Sequence, residues 1–170
     1  MKQATVLFLA MSLFSFFAKA STLPVGAPAP MLTATTQSGD PIKFADIYAK
    51  GVTLVYFYPK AGTPGCTAQA CSLRDSFPDL TAKGIQVIGV SRDGVEAQKK
   101  FQKKNNLPFQ LVADADGKVA AAFGVDLIPL VGFTLRESFL VKDGKIAWVT
   151  LKAKTRNHSD EVRAAAAALK

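Results

Sequence analysis

Pro59-Lys60-Ala61-Gly62-Thr63-Pro64-Gly65-Cys66-Thr67-Ala68-Gln69-Ala70-Cys71 is the stretch on which the reading of this chain turns. It holds the only two cysteines of the 170 residues and joins a strand pattern to a helix pattern. Upstream, residues 52–58 (Val-Thr-Leu-Val-Tyr-Phe-Tyr) are rich in β-branched and aromatic side chains without polar alternation, as in a strand buried on both faces. Pro59 ends that strand. Downstream, Thr63 suits a helix N-cap, Pro64 the first helical position, and Cys66 then falls at the third. The amides of a first helical turn have no partner inside the helix, and their field favours an anion such as a thiolate.

That field alone is too weak. A helix terminus contributes roughly 0.3–1 kcal/mol, less than the about 1.4 kcal/mol that corresponds to one pKa unit. An ordinary thiol, with a pKa of about 8.5, would stay mostly protonated at neutral pH. A close positive charge supplies roughly 1–3 further units, so a cation is required. Arg136 is the first candidate, standing between a loop and the apolar segment 138–141, where a side chain can reach the end of a neighbouring strand. Arg74, eight positions after Cys66, is better placed to pair with Asp75 or another carboxylate. Spacing by itself leaves two readings of the cysteines open, a reactive thiol or a core or disulfide-bonded pair.

Further residues carry a resemblance. Pro59, Thr63 and Cys66 fit the Pro-x-x-x-Thr-x-x-Cys signature of peroxiredoxins, and Tyr58-Pro59-Lys60 with Thr63-Pro64-Gly65-Cys66-Thr67 resembles the peroxiredoxin Q (bacterioferritin comigratory protein) branch. The resemblance runs from about Val25 to the C-terminus, through Ala70-Cys71-Ser72-Leu73-Arg74-Asp75, Gly89-Val90-Ser91, Lys99-Lys100-Phe101, Leu107-Pro108-Phe109 and Arg136-Glu137-Ser138-Phe139-Leu140. It implies that Cys66 is the peroxide-attacking residue and Cys71 the resolving one. It also implies that Arg136 contacts thiolate and peroxide, and that the Thr63 hydroxyl bonds the peroxide. Pro59 and Gly65 complete the implied substrate pocket. The chain departs from the pattern at Ala61-Gly62, where an acidic or polar pair is more usual, and at Gln69, where a Glu is common.

Residues 1–20 read as an export signal. Lys2 is a positive start, residues 4–18 are an apolar run, and Ala18-Lys19-Ala20 has the small-x-small form of a cleavage site. The run is shorter than the about 20 residues of an ordinary membrane-spanning helix. A periplasmic location and a mature domain of residues 21–170, without stable membrane association, are therefore expected. Losing Lys2 and Lys19 takes the formal charge from +8 to +6. The remaining excess, which includes Lys99, Lys100, Lys103, Lys104, Lys142, Lys145, Lys152 and Lys154, forms no aromatic-interleaved patch, so no nucleic-acid partner is expected. His158, the only histidine, stands in a polar stretch with no ligand-spaced cysteines or carboxylates, so no metal site is expected.

Along the chain, residues 22–30 read as an extended leader, and residues 31–36 and 42–44 as a hairpin followed by a helical turn at 45–49. A helix from Thr63 is expected to run towards Lys83, bent or interrupted at Pro78 and stopped by Gly84. Residues 85–91 form a second buried strand, 95–105 an amphipathic helix, 109–113 a strand, and 118–123 a helix ended by Gly124. After a loop over 125–134, segments 137–141 and 145–151 pair across Lys142-Asp143-Gly144, and residues 160–169 close the chain as a helix capped by Ser159. Parallel strands joined by a helix, then an antiparallel hairpin and a last helix, give an α/β mixed central sheet with helices on both faces. The thioredoxin fold has this composition, and the resemblance implies its peroxiredoxin elaboration.

The expected function is a thiol-dependent peroxidase that reduces hydrogen peroxide and organic hydroperoxides without a bound cofactor, acts as a monomer, and is regenerated by a thioredoxin-like dithiol protein. The alternatives are a thioredoxin-like thiol-disulfide oxidoreductase, for which a Cys-x-x-Cys pair is missing, and a non-catalytic binding module with a structural disulfide.

Overall fold

The computed structural model describes residues 21–169, so the expected export signal lies outside the described residues. A small hairpin of β1 (Thr33–Thr35) and β2 (Pro41–Lys43) leads into the short helix α1 (Phe44–Tyr48). The main sheet contains β3 (Thr53–Phe57), β4 (Gln86–Ser91), β5 (Gln110–Ala113), β6 (Ser138–Lys142) and β7 (Lys145–Thr150), in the order β5-β4-β3-β6-β7. Strands β3, β4 and β5 are parallel, while β6 and β7 run antiparallel to their neighbours. Asp143 and Gly144 both have positive φ, 51° and 71°, as a two-residue hairpin turn requires.

The sheet alternates cleanly. Val55, Phe57, Ile88, Val90, Val112, Phe139 and Val141 point into one core with Phe44 and Tyr48 of α1 and with Val119 and Phe123 of α5 (Lys118–Phe123). Leu54, Tyr56, Val87, Leu111 and Leu140 point into the other, under α2 (Pro64–Asp75), α3 (Phe77–Ala82), α4 (Val95–Asn105) and α6 (His158–Ala167). The expected mixed sheet with helices on both faces is therefore present. Gly89 of β4 is required by packing, since a Cβ there would stand 2.7 Å from the Tyr56 hydroxyl and 2.8 Å from Leu111 Cδ2.

Two boundaries differ from the sequence reading. The helix expected from Thr63 to Lys83 is two helices, broken at Ser76 (φ −103°, ψ 6°), with Pro78 in the first turn of the second rather than inside the first. Helix α6 begins at His158 with Asn157 at its N-cap, so Ser159 is not the cap. Ser159 instead lies buried against α2, where its backbone N–H donates to Ser72 Oγ at 3.1 Å. No helix among the described residues is long and apolar enough to cross a membrane.

Candidate active site

Strand β3 delivers Tyr58 and Pro59 to the start of α2, and the bend between them is braced from β4. Tyr58 N donates to the Val90 carbonyl at 3.1 Å, and Thr134 Oγ1 donates to the Tyr58 carbonyl at 2.9 Å. Asp93 accepts from the Ala61 amide at 2.8 Å and from the Ser91 hydroxyl at 2.6 Å. This fixes the loop 59–62. Asp93 was not singled out from the sequence, because nothing local distinguishes a carboxylate bonded 32 positions away from a solvated one.

Thr63 occupies the N-cap position, Pro64 the first helical position, and Cys66 the third, as expected. The cap chemistry differs. Thr63 Oγ1 makes no bond to an α2 amide and donates instead to the Lys60 carbonyl at 3.0 Å, while the first helical bond runs from Thr67 N to the Thr63 carbonyl at 2.9 Å. Its proton is thus committed backwards, and its oxygen lone pairs remain available. Gly65 and Cys66 have amides in the first turn, where a helix offers no internal partner.

The cation the sequence required is present. Arg136 Nη2 donates to Cys66 Sγ at 3.3 Å, and Nη1 of the same guanidinium donates to Gln69 Oε1. Cys66 is 1% exposed and Gln69 wholly buried. Gln69 lies three residues after Cys66, on the same side of the helix, and it holds the guanidinium with a neutral acceptor. A Glu here would place a carboxylate on Arg136, drawing its charge away from the sulfur. Gln69 Nε2 has no hydrogen-bond partner among the described residues. Gly65 lies beside both Arg136 and Thr155: a Cβ there would stand 3.4 Å from Arg136 Nη2 and 3.7 Å from Thr155 Cγ2, in ordinary contact.

Arg74 lies apart from this cluster. It pairs with Asp75 at 2.8 Å and donates to the Asn105 carbonyl at 2.8 Å, as a structural tie between α2 and the end of α4. Both cysteines are free, Cys66 buried and Cys71 half-buried, on one continuous helix.

His158 is buried and hydrogen-bonded at both ring nitrogens. It is wholly buried beside the Tyr56 ring at 6.1 Å between centroids, with Ser138 Oγ 3.2 Å from Nε2 and Glu161 Oε2 3.2 Å from Nδ1. Burial pushes its pKa below the usual imidazole value, opposed by Glu161 and reinforced by the charge of Arg136. Neutral His158 with its proton on Nδ1, facing the carboxylate, lets Nε2 accept from the Ser138 hydroxyl. No group of three or more His, Cys, Asp or Glu that could hold a metal ion is gathered among the described residues.

Comparison with known proteins follows the same residues. The sequence model of the AhpC/TSA family matches residues 25–149. The chain belongs to that family. It is 42% identical over 146 residues to peroxiredoxin Bcp of Escherichia coli K12, covering 82% of this chain and 93% of the relative. Peroxiredoxin Bcp of Bacillus subtilis is 37% identical over 147 residues, covering 82% of this chain and 92% of that one. Among solved structures, peroxidoxin BcpB of Mycobacterium tuberculosis superposes with a TM-score of 0.80 at 30% identity, covering 86% of this chain and 97% of that one. The bacterioferritin comigratory protein of Xanthomonas campestris, described for alkyl peroxide reduction, gives 0.76 at 27% identity, covering 86% and 100%. The fold is thus the peroxiredoxin form of the thioredoxin fold, and the chain is a thiol-dependent peroxidase of the Bcp or Q type.

Proposed function

We propose that Cys66 is the peroxidatic residue, and the observation that carries this is the Arg136 guanidinium 3.3 Å from its sulfur. Arg136 and the amides at the start of α2 both face the sulfur, and the thiolate is the form of a cysteine that attacks. The thiolate attacks the terminal oxygen of hydrogen peroxide or an alkyl hydroperoxide, the O–O bond breaks, and the other oxygen leaves as water or alcohol once protonated. Cys66 becomes a sulfenic acid. As the bond breaks, negative charge moves onto the leaving oxygen, within the field of the guanidinium and the Gly65 and Cys66 amides. The Thr63 oxygen accepts from the hydroperoxide O–H. Pro59 and Gly65 flank the reacting sulfur in this reading.

Cys71 then resolves the sulfenic acid as an intramolecular disulfide. On a regular helix the two Cα atoms, five residues apart, are roughly 8–9 Å from each other, beyond the about 7 Å that a disulfide tolerates. Helix α2 must therefore unwind locally to close the bond. A dithiol protein of thioredoxin type then reduces the disulfide, with no bound cofactor.

In this reading the chain works as a monomer. The Lys2, apolar-run and Ala18-Lys19-Ala20 pattern supports export to the periplasm, where the reductant would be a periplasmic dithiol protein. Mass spectrometry of protein from a Gram-negative host should find Ser21 at the N-terminus. Soluble cytoplasmic protein that retains Met1 would contradict export.

Peroxide titration tests the chemistry. The reduced protein should consume one equivalent of hydrogen peroxide and lose both thiols. Cys71→Ser should consume the first equivalent at the same rate and stop at the sulfenic acid, and Cys66→Ser should consume none. Reduction of insulin without peroxide consumption would favour the exchanger, and neither activity would favour a binding module.

A further inference from the structure

The proposed cycle makes two incompatible demands on α2. It must be helical while Cys66 stands under Arg136, and open while Cys71 reaches Cys66. The contact that separates these states lies one residue beyond Cys71. Ser72 Oγ accepts the backbone N–H of Ser159 at 3.1 Å, and the two serine hydroxyls are 3.1 Å apart. Ser159 is the second residue of α6, whose N-cap residue Asn157 makes no side-chain cap bond. One of the amides that a helix start leaves unpaired is therefore capped from another helix, 87 positions away in sequence.

The far side of this contact is firmly held. The neighbouring His158 ties the start of α6 to Ser138 of β6 and to Glu161 of its own next turn. The Ala153 amide bonds the Arg136 carbonyl at 3.0 Å. Thr155 lies beside Gly65, so the segment from 153 to 159 runs along α2 between its two cysteine-bearing ends. When α2 unwinds, the sheet keeps α6 in place and Ser72 leaves it.

We propose that Ser72 is a positioning residue for the second half of the reaction: its bond to the Ser159 amide holds α2 closed, and breaking that bond is part of opening it. This rests on the reading that Cys71 resolves Cys66. In that step the Cys71 thiolate attacks the sulfenic sulfur, the S–S bond forms, the S–O bond breaks, and the departing hydroxide takes up a proton as water. No outside oxidant or electron enters. Loss of a helix cap shifts a helix equilibrium roughly fivefold, so the open fraction should rise by that factor when the hydroxyl is removed.

Stopped-flow and quenched-flow measurements on the full chain separate the steps. Ser72→Ala should form the sulfenic acid at the wild-type rate, close the disulfide about fivefold faster, and lose less protein to sulfinic acid at high peroxide. Ser72→Thr, which retains the hydroxyl, should restore the wild-type rates. A merely structural serine would lower the melting temperature without changing the split between the steps. Disulfide closure in Ser72→Ala at the wild-type rate or slower would overturn the proposal. A second readout needs no variant: the Ser159 amide of wild-type protein should exchange slowly when reduced and faster once the disulfide forms, and equal protection in both states would overturn the proposal. Wild-type protein that forms no Cys66–Cys71 disulfide would overturn the resolving role of Cys71, and the role of Ser72 with it.

Discussion

Helices α2 and α4 have nearly the same length, 12 and 11 residues, and pack on the same face of the sheet, yet they are stabilised in opposite ways. Helix α4 is closed at its own end and pinned to the sheet through its centre. It ends at Asn106 in the left-handed region (φ 49°), with amides closing back on the Gln102 and Lys103 carbonyls, and carries Lys103 and Lys104 in its last turn. Its buried Gln98 binds the Tyr58 hydroxyl, the Ser91 hydroxyl at 2.8 Å and the Val112 carbonyl at 2.9 Å. Neither helix has a side-chain cap at its start, but α2 also lacks an acidic residue in its first turn, where α4 has Glu96, and it is rich in weak helix formers, Pro64, Gly65, Cys66, Thr67, Cys71 and Ser72. What holds it closed comes from elsewhere, from Arg136 on Gln69 and Cys66, from the start of α6 on Ser72, and at its last turn from Arg74 on the Asn105 carbonyl of α4. Helix α4 is scaffold, whereas α2 is a helix that its neighbours can release.

The largest effect that would sharpen this contrast is on stability. Gln98→Leu leaves the Ser91, Tyr58 and Val112 polar groups without their buried partner, at about 2–4 kcal/mol in total. Urea unfolding should show that loss while the first peroxide turnover stays within twofold. A loss below about 0.5 kcal/mol, the range of an ordinary surface change, would mean α4 is not the rigid member of the pair.

Next comes the guanidinium. Arg136→Met should slow both peroxide reduction and iodoacetamide alkylation of Cys66 at neutral pH by about tenfold, since it removes the guanidinium that bonds the sulfur at 3.3 Å. Unchanged alkylation would shift attention to Arg74. Gln69→Glu should act in the same direction but less, slowing alkylation about threefold to tenfold through a carboxylate that competes for the same arginine. Faster alkylation in that variant would contradict the charge argument for the amide.

The smallest effect concerns the anchor of α6. Burial holds the His158 pKa below that of the unfolded chain, so below about pH 6.5 the unfolded state takes up a proton that the folded state refuses. Stability is therefore fully present above that pH and lost as pH falls towards the folded-state pKa. The share due to His158 is less than about 1 kcal/mol between pH 7 and pH 6. The raised carboxyl pKa of Glu137 and Asp114, both from burial, acts in the opposite direction at lower pH, so the comparison is wild type against His158→Gln. The variant should show the flatter pH dependence, and equal slopes would remove His158 from the account.

Much of this contrast was legible in the sequence. The uninterrupted apolar strands, the Asp143-Gly144 turn, the Gly84 and Gly124 stops and the Lys-rich face of α4 are local signals, and each fell where expected to within about two residues. The placement of Cys66 followed from Thr63 and Pro64, the need for a cation from the weakness of a lone helix end, and the choice of Arg136 from its position and the family resemblance. What escaped depends on partners distant in the chain. Ser159 looked like a cap because serine usually caps its own helix, whereas the bond that matters comes from Ser72. The polar stretch around His158 gave no sign that the ring would be buried between Ser138 of β6 and Glu161 of α6. The role of Gln69 needed its partner Arg136, 67 positions on, and the helix broke at Ser76, two residues before the proline that signalled it.

The central claim is that α2 opens when the disulfide forms and α4 does not. Backbone hydrogen exchange of the reduced and oxidised protein, read peptide by peptide, tests it. We predict faster exchange across residues 63–73 after oxidation, no change across 95–105, and no difference anywhere in α2 for Cys71→Ser after one equivalent of peroxide. Identical exchange in both redox states, with the Cys66–Cys71 bond confirmed by mass spectrometry, would contradict the account.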